Sequence, residues 1–560
     1  MRAIAHASLL AGLALAPLAH ATVIDTVNWT ETTFTTDTGS HTGIAWAPDG
    51  SDRMFAIQKG GQVRVFTGGT TGVGVWSTFA TMSPIFTGSE CGLIGMAFDP
   101  NFAVNHLIYF FVTVSSSEQQ IIRYDASGAV GTGRTIIKDM LPTTGNNHDG
   151  GGIGFAADGK LYWSVGDNGS GVGVDNNLTL LASKVGRANR NGTLPTGNPF
   201  DDGAGPNNDF IYARGMRNPF TMQIQPGTWQ IWLNVVGDGY EQVFVVTSGS
   251  HGGYNDFENN QPAGYLTPKI VYRTNGSDTP SFSAVTRAGG VATFTTTNAH
   301  RFRQGSNVNI TGVADATYNG ANQFVASVPT ATTFTVMQAG ADGASSGGLA
   351  TGLNQGGCLT GGVFYDATLA PEPIRGNFFY GDCNSGRIMR ARIDTATNNV
   401  IGTEYFATGN GGQVDITVGP DGALYYVSAG GSTVLRATYN VTQQGLVVGN
   451  LNLRADEGGE VVTTVRLAQA PAANVSVTVA RTAGDTDVGV TVGSALTFTP
   501  ANFARPQAVR FAAAGDVDTN DDLATISVSA PGLTTVPINV SVLDLGVSDP
   551  SDPLFQNGFE

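Results

Sequence analysis

The feature that most limits how this chain can fold is a plan repeated along it. The stretch HDGGGIGFAADGKLYWSVGD at 148–167 ends in an apolar run, an Ala-Asp-Gly turn and a second apolar run. That pattern reads as two short strands joined where glycine accepts a positive φ. APDGSDRMFAIQKGGQVRVF near 47, AFDPNFAVNHLIYFFVTV near 97, QPGTWQIWLNVVGD near 225, GNFFYGDCNSGRIMRARI near 376 and GPDGALYYVSAGGSTVLRATY near 419 share the plan. About six copies at roughly 50 to 70 residue spacing, with one long interruption after the fourth, predict propeller blades. The expected fold class is all-β, a six-bladed β-propeller whose loops converge on a central channel. His148, followed by three glycines that offer nothing to pack, belongs to such a loop rather than to a strand. Taken alone, a single His is equally well a satisfied structural residue.

Around this core the chain changes character three times. Residues 1–21 carry Arg2, the apolar run SLLAGLALAPLA and then Ala19-His20-Ala21. This predicts a signal peptide cleaved between Ala21 and Thr22, and so a secreted or periplasmic protein. No later stretch is apolar for long enough to span a membrane. Lys+Arg 28 against Asp+Glu 44 gives a net charge of −16, which argues against a nucleic-acid partner. Of three cysteines, Cys358 and Cys383 are expected to pair in an oxidising compartment and close a loop of about 25 residues. Cys91 is expected to be buried rather than reactive, and there is no zinc-type spacing.

The interruption, 283–352, is Thr-rich and alternating, and reads as a small inserted β module that splits the propeller into 22–282 and 353–442. It resembles small β modules of phage tail and bacterial surface proteins; His300 and Arg301 are expected to be exposed there, without a role. Residues 445–545 alternate strictly with turns every ten or so residues, a β-sandwich pattern, and resemble Calx-β modules of secreted bacterial proteins. Glu457 with Asp516, Asp518, Asp521 and Asp522 offers the oxygens that Ca²⁺ prefers; a solvated acidic loop explains them as well. Residues 546–560 are a polar tail too short to fold alone.

Five stretches of the propeller, in order, resemble the glucose/sorbosone dehydrogenase family, whose better-known members use pyrroloquinoline quinone (PQQ). They are ECGLIGMAFDP at 90–100, NHDGG at 147–151, GRANRNGTLPTGNPF at 186–200, RGMRNPF at 214–220, and GCLTGGVFY at 357–365 with GDCNSGR at 381–387. The resemblance implies oxidation of an aldose at C1, with His148 as the general base that takes the hydroxyl proton while hydride passes to the quinone. An imidazole suits that step because its ordinary pKa lies near neutral. It further implies that Arg217 and Asn218 contact the quinone, with Arg217 stabilising negative charge on its oxygen. Glu90 and Asn147 match positions that touch the sugar, and Gly237 and Asp238 fall where backbone carbonyls help to hold the cofactor's Ca²⁺.

The sequence also departs from the family. A Lys and an Arg-x-Arg meet the three PQQ carboxylates in the sugar oxidases; here those positions read Asn384, Gly412 and Val414. Each charge-assisted bond lost is worth about 1.5 to 3 kcal/mol, so three could remove several powers of ten in affinity. Arg387 and Arg390 lie near in sequence but, at strand spacing, need not point into the channel. Two readings therefore stand: an exported PQQ-dependent aldose dehydrogenase, or a cofactor-free propeller that binds an extracellular carbohydrate or protein. A third, calcium-assisted hydrolysis of the lactonase type, would draw on Asp167, Asn168 and Asp238, although Asp167 reads first as a residue serving the turn after its strand.

Overall fold

In a computed structural model, residues 22–170, 173–409, 411–428, 431–516 and 520–544 are described. The expected signal peptide, the 546–560 tail and Asp518 lie outside them. The described chain is almost entirely strand, with helix confined to Phe102–Asn105 and two short 3-10 turns.

Six antiparallel sheets follow one another along the chain. Their innermost strands are His41–Trp46, Leu93–Phe98, Ile153–Phe155, Asn218–Ile224, Leu359–Phe364 and Gln413–Val418. Each innermost strand packs against that of the next sheet, and the sixth against the first, so the ring closes around a channel. Close approach at the channel explains its glycines: a Cβ on Gly95 would lie 2.3 Å from Gly151 O. Between sheets, aromatic and aliphatic side chains such as Phe55, Phe79, Phe102 and Phe110 fill the wedges.

Closure is not consecutive. The sixth sheet takes its outer strand from the start of the chain, Trp29–Thr36 pairing with Thr433–Tyr439. The end of that strand is latched to the first sheet by buried Asp37, which accepts from Arg64 Nε and Nη2 at 2.9 Å each and lies 3.2 Å from His41 Nε2. This pairing joins the ends of the propeller through hydrogen bonds rather than a covalent link.

Because the sheets are antiparallel, the loops entering each innermost strand and those between second and third strands share one end of the ring, the mouth. The turns after each innermost strand, Asp-Gly in three of the six sheets, share the other, the base. The seven-stranded sheet that begins at Phe282–Ala288 and ends at Leu349–Gly352 interrupts a mouth loop. Its His300 is buried, contrary to expectation, because its ring stacks on Phe302 at 5.5 Å and meets Phe334 edge-on. Arg301 is half-buried and donates through Nη1 to Asn260 Oδ1 at 2.9 Å.

The two C-terminal sheets, of four and five strands, share a core around Val465, Phe498, Phe511, Ile526 and Val540 and rest on the base. The contact is polar and buried. Arg190 donates to both oxygens of Asp456 at 2.5 and 2.8 Å and to Asp99 at 3.3 Å. Asp366 accepts from Leu451 N, Asn452 N and Asn452 Nδ2 at 2.8–3.0 Å, and Arg466 Nε reaches Asp421 O at 2.9 Å. Together these take the sandwich onto four different blades.

Candidate functional site

The mouth is where the chemistry-bearing residues meet. His148 sits in the loop entering the third sheet at φ 60°, and its backbone is fixed on both sides. Its N–H donates to Glu90 Oε2 at 2.9 Å, and its carbonyl lies so close to Gly166 that a Cβ there would approach it to 2.1 Å. The ring is fixed as well: Nδ1 lies 2.5 Å from Asp167 Oδ1. A carboxylate beside Nδ1 holds the proton on that nitrogen and turns the Nε2 lone pair outward. Nε2 has no hydrogen-bond partner among the described residues.

Asp167 also performs the turn duty read from its sequence, accepting from Gly169 N at 2.9 Å. Its pairing with His148 was not legible, although the two residues end the same two-strand unit. Asn168 donates its N–H to His148 O and its Nδ2 to Pro142 O, each at 3.4 Å, and its Oδ1 is buried without a partner among the described residues.

Glu90 and Asn218 turn toward each other. Asn218 Nδ2 donates to Glu90 Oε2 at 2.9 Å, and Asn218 Oδ1 accepts from Gly150 N at 3.2 Å; both side chains brace the His148 loop. Asn147 is half-buried beside Gly169. Beneath Glu90, the Cys91 thiol is buried and donates to Asp149 Oδ2 at 3.1 Å. Burial, and then the neighbouring carboxylate, pushes it up to about 12, which leaves it inert as a nucleophile.

Arg217 enters from the loop before the fourth sheet. Nη1 donates to Val236 O at 3.3 Å, Nη2 lies 3.9 Å from exposed Asp238, and Nε is buried without a partner among the described residues. Tyr254 lies beside it, its phenol pushed up by burial and then by Asp167. Gly237 and Asp238 form the turn above Arg217; the amides of Asp238 and Gly239 are held by Glu258.

At the three positions where the resemblance implies contact with the cofactor's carboxylates, no side chain is charged. Asn384 Nδ2 donates to Gly357 O at 3.0 Å, Gly412 has no side chain, and Val414 is apolar. Arg387 spends Nη1 on Asn354 O and covers the Tyr405 ring, while Arg390 pairs with Glu404. The disulfide Cys358–Cys383 is present at this edge of the mouth. In the sandwich, Glu457 Oε1 accepts from Asp516 N at 2.5 Å and Asp521 Oδ1 from Asp544 N at 3.1 Å. Asp522 begins the strand Asp522–Ser529. No group of three His, Cys, Asp or Glu converges as a metal site among the described residues.

Residues 40–314 match the glucose / sorbosone dehydrogenase family model. That match spans the first four blades, with His148 and Arg217, and ends inside the inserted module. The chain is 26% identical over 257 residues to the uncharacterized protein slr1608 of Synechocystis, covering 40% of this chain and 60% of that protein. It is 25% identical over 224 residues to the aldose sugar dehydrogenase YliI of Escherichia coli, covering 38% and 57%. The chain thus spans less than two thirds of the length of these relatives. Among solved structures, a Thermus thermophilus protein assigned as an oxidoreductase (glucose dehydrogenase) superposes with TM-score 0.51 at 20% identity, over 73% of this chain and 99% of that one. The apo-form soluble aldose sugar dehydrogenase of E. coli gives 0.50 at 16%, over 74% and 100%. At these identities the likeness establishes the fold.

Proposed function

We propose that this chain is an exported oxidoreductase that oxidises an aldose at C1, His148 Nε2 taking the hydroxyl proton. The observation that carries the proposal is the His148–Asp167 pair at 2.5 Å, set in a loop pinned by Glu90. A base oriented by a carboxylate and open at its other nitrogen is the arrangement general-base catalysis requires. As C1–O⁻ character develops, Asp167 stabilises the imidazolium that forms. Arg217 supplies a fixed positive charge at the same mouth. The family match over 40–314 and the aldose dehydrogenase relative support the substrate class. The signal-peptide pattern expected at 1–21 and the disulfide Cys358–Cys383 support export.

A quinone of the PQQ class, with Ca²⁺, would supply the hydride acceptor, giving lactone and reduced quinone. The residues present fit one end of such a group and not the other. Arg217, with its buried unpartnered Nε, suits an electron-rich oxygen. The Asn384, Gly412 and Val414 positions offer no charge to three carboxylates. That lack favours a second reading, a cofactor-free propeller that binds an extracellular glycan.

The deciding experiment is a titration of the chelator-stripped protein with PQQ and Ca²⁺, followed by quinone absorbance and then by dye reduction with a panel of aldoses. Saturable binding with turnover that His148→Ala abolishes is the expected result. No binding at micromolar quinone would sink the proposal and leave the glycan-binding reading.

A further inference from the structure

The fourth sheet does not connect its last two strands directly. After Tyr240–Val246 the chain climbs the free edge of the third sheet before entering Ile270–Arg273. Gly249 N donates to Tyr212 O, Arg214 N to Ser250 O, Gly252 N to Arg214 O and Tyr254 N to Gly215 O, all at 2.8–3.0 Å. The climb brings Tyr254 and Glu258 to the mouth. The inserted module steadies this segment, since Asn259 Nδ2 donates to Arg301 O at 3.3 Å and Arg301 Nη1 to Asn260 Oδ1 at 2.9 Å.

At the mouth, Glu258 takes two consecutive amides of the turn, Asp238 N at 2.5 Å and Gly239 N at 2.9 Å. The preceding amide, Gly237 N, donates to buried Glu241. In a trans peptide the N–H and C=O point in opposite directions. Drawing the amides of Asp238 and Gly239 onto one carboxylate therefore turns Gly237 O and Asp238 O away from it. Neither oxygen accepts a hydrogen bond among the described residues. One residue earlier, Val236 O anchors Arg217.

We propose that Glu258 is a positioning residue that holds this turn with its carbonyls outward, so that Gly237 O and Asp238 O, with the exposed Asp238 carboxylate, are offered to a hard divalent cation while Arg217 stays anchored. Oxygen donors of this kind suit Ca²⁺, which tolerates irregular coordination. The cation's use in turnover rests on the function proposed above; its binding does not.

The test uses the full, chelator-treated chain and Tb³⁺ as a stand-in for Ca²⁺, with luminescence sensitised by Tyr254 and Tyr240. Wild type is expected to show a saturable signal that Ca²⁺ displaces. Glu258→Ala should raise the Tb³⁺ dissociation constant by about tenfold or more, with melting unchanged within about 2 °C. Glu258→Gln, which keeps the size and one acceptor oxygen, should fall between the two. If Glu258→Ala does not fold, weakened Tb³⁺ binding in a folded Glu258→Gln supports the proposal and unchanged binding overturns it. A wild type without displaceable signal, or a signal indifferent to Glu258→Ala, also overturns it. Absence of quinone turnover alongside the expected Tb³⁺ result would remove the oxidoreductase reading and leave the positioning role standing.

Discussion

Asp167→Asn is the perturbation that asks most directly whether His148 is a base. The carboxylate lies 2.5 Å from Nδ1, and it gains most when the ring becomes an imidazolium, the state formed as the sugar proton arrives. A charge-assisted bond contributes about 1.5 to 3 kcal/mol. Asparagine keeps an oxygen for the ring and for Gly169 N, which now donates to Asp167 Oδ1 at 2.9 Å. The turn therefore survives while the charge is lost. At about 1.36 kcal/mol per decade, kcat should fall roughly 10- to 150-fold. KM should stay within about threefold, because Asp167 is buried behind His148 and is not placed to touch sugar. The assay is steady-state dye reduction at saturating quinone and Ca²⁺, with thermal melting as the control for folding. A kcat within about threefold of wild type in a variant that melts normally would refute the assignment of His148, since a base without need of its orienting carboxylate is not the one described.

Three further outcomes follow from the buried charges and the crosslink. Arg190→Ala takes from the buried Asp456 and Asp99 carboxylates the guanidinium they share, so urea unfolding should show a loss of about 3 to 5 kcal/mol; an unchanged midpoint would mean that the clasp under the propeller contributes nothing. Burial raises Glu241 to about 7, Asp366 to about 6 and Asp415 to about 7. These folded values lie above the unfolded ones, so their contribution is complete below about pH 4 and is lost as pH rises through 6 to 7; melting should be higher near pH 5 than near pH 8, and Asp366→Asn should flatten that slope. Reducing Cys358–Cys383, 25 residues apart, should cost about 3 kcal/mol in the chain-entropy picture, read as a fall in the denaturant midpoint.

The ring of sheets was legible because its punctuation is local. An Asp-Gly or Pro-Gly turn, an apolar strand and a glycine break recur, and each acts through its own backbone conformation. The placement of His148 in a loop was legible for the same reason: the glycines at 150–152 leave nothing for a strand to pack. What escaped was set by contacts between distant segments. Glu258 and Tyr254 reach the mouth because a connection climbs another blade's edge, and no spacing in 247–269 announces that path. His300 reads as exposed in the sequence, whereas Phe302 and Phe334 decide its burial. The bonds by which Glu90 and Asn218 meet each other and brace the His148 loop likewise join segments far apart in the chain.

The two appended elements act on opposite ends of the channel. An accessory sandwich that merely tethered the propeller to a surface would need few contacts with it, yet this one buries Arg190, Arg454, Asp456 and Arg466 on the turns of several blades. Buried ion pairs add little net stability over apolar packing, but a mispaired register leaves charges stranded, so such a contact selects one seating of the sandwich. That seating covers the base, where a cavity of about 490 Å³ lies among Asp415, Trp229 and Arg454, remote from the loops that carry His148 and Arg217. The base proposed at His148, the guanidinium of Arg217 and the turn held by Glu258 place the proposed chemistry at the mouth, beside the insert. If the mouth is the site, removing the insert's contact through Arg301→Ala should disturb Tb³⁺ binding at the turn far more than Arg190→Ala does, although Arg190 is the more deeply buried of the two.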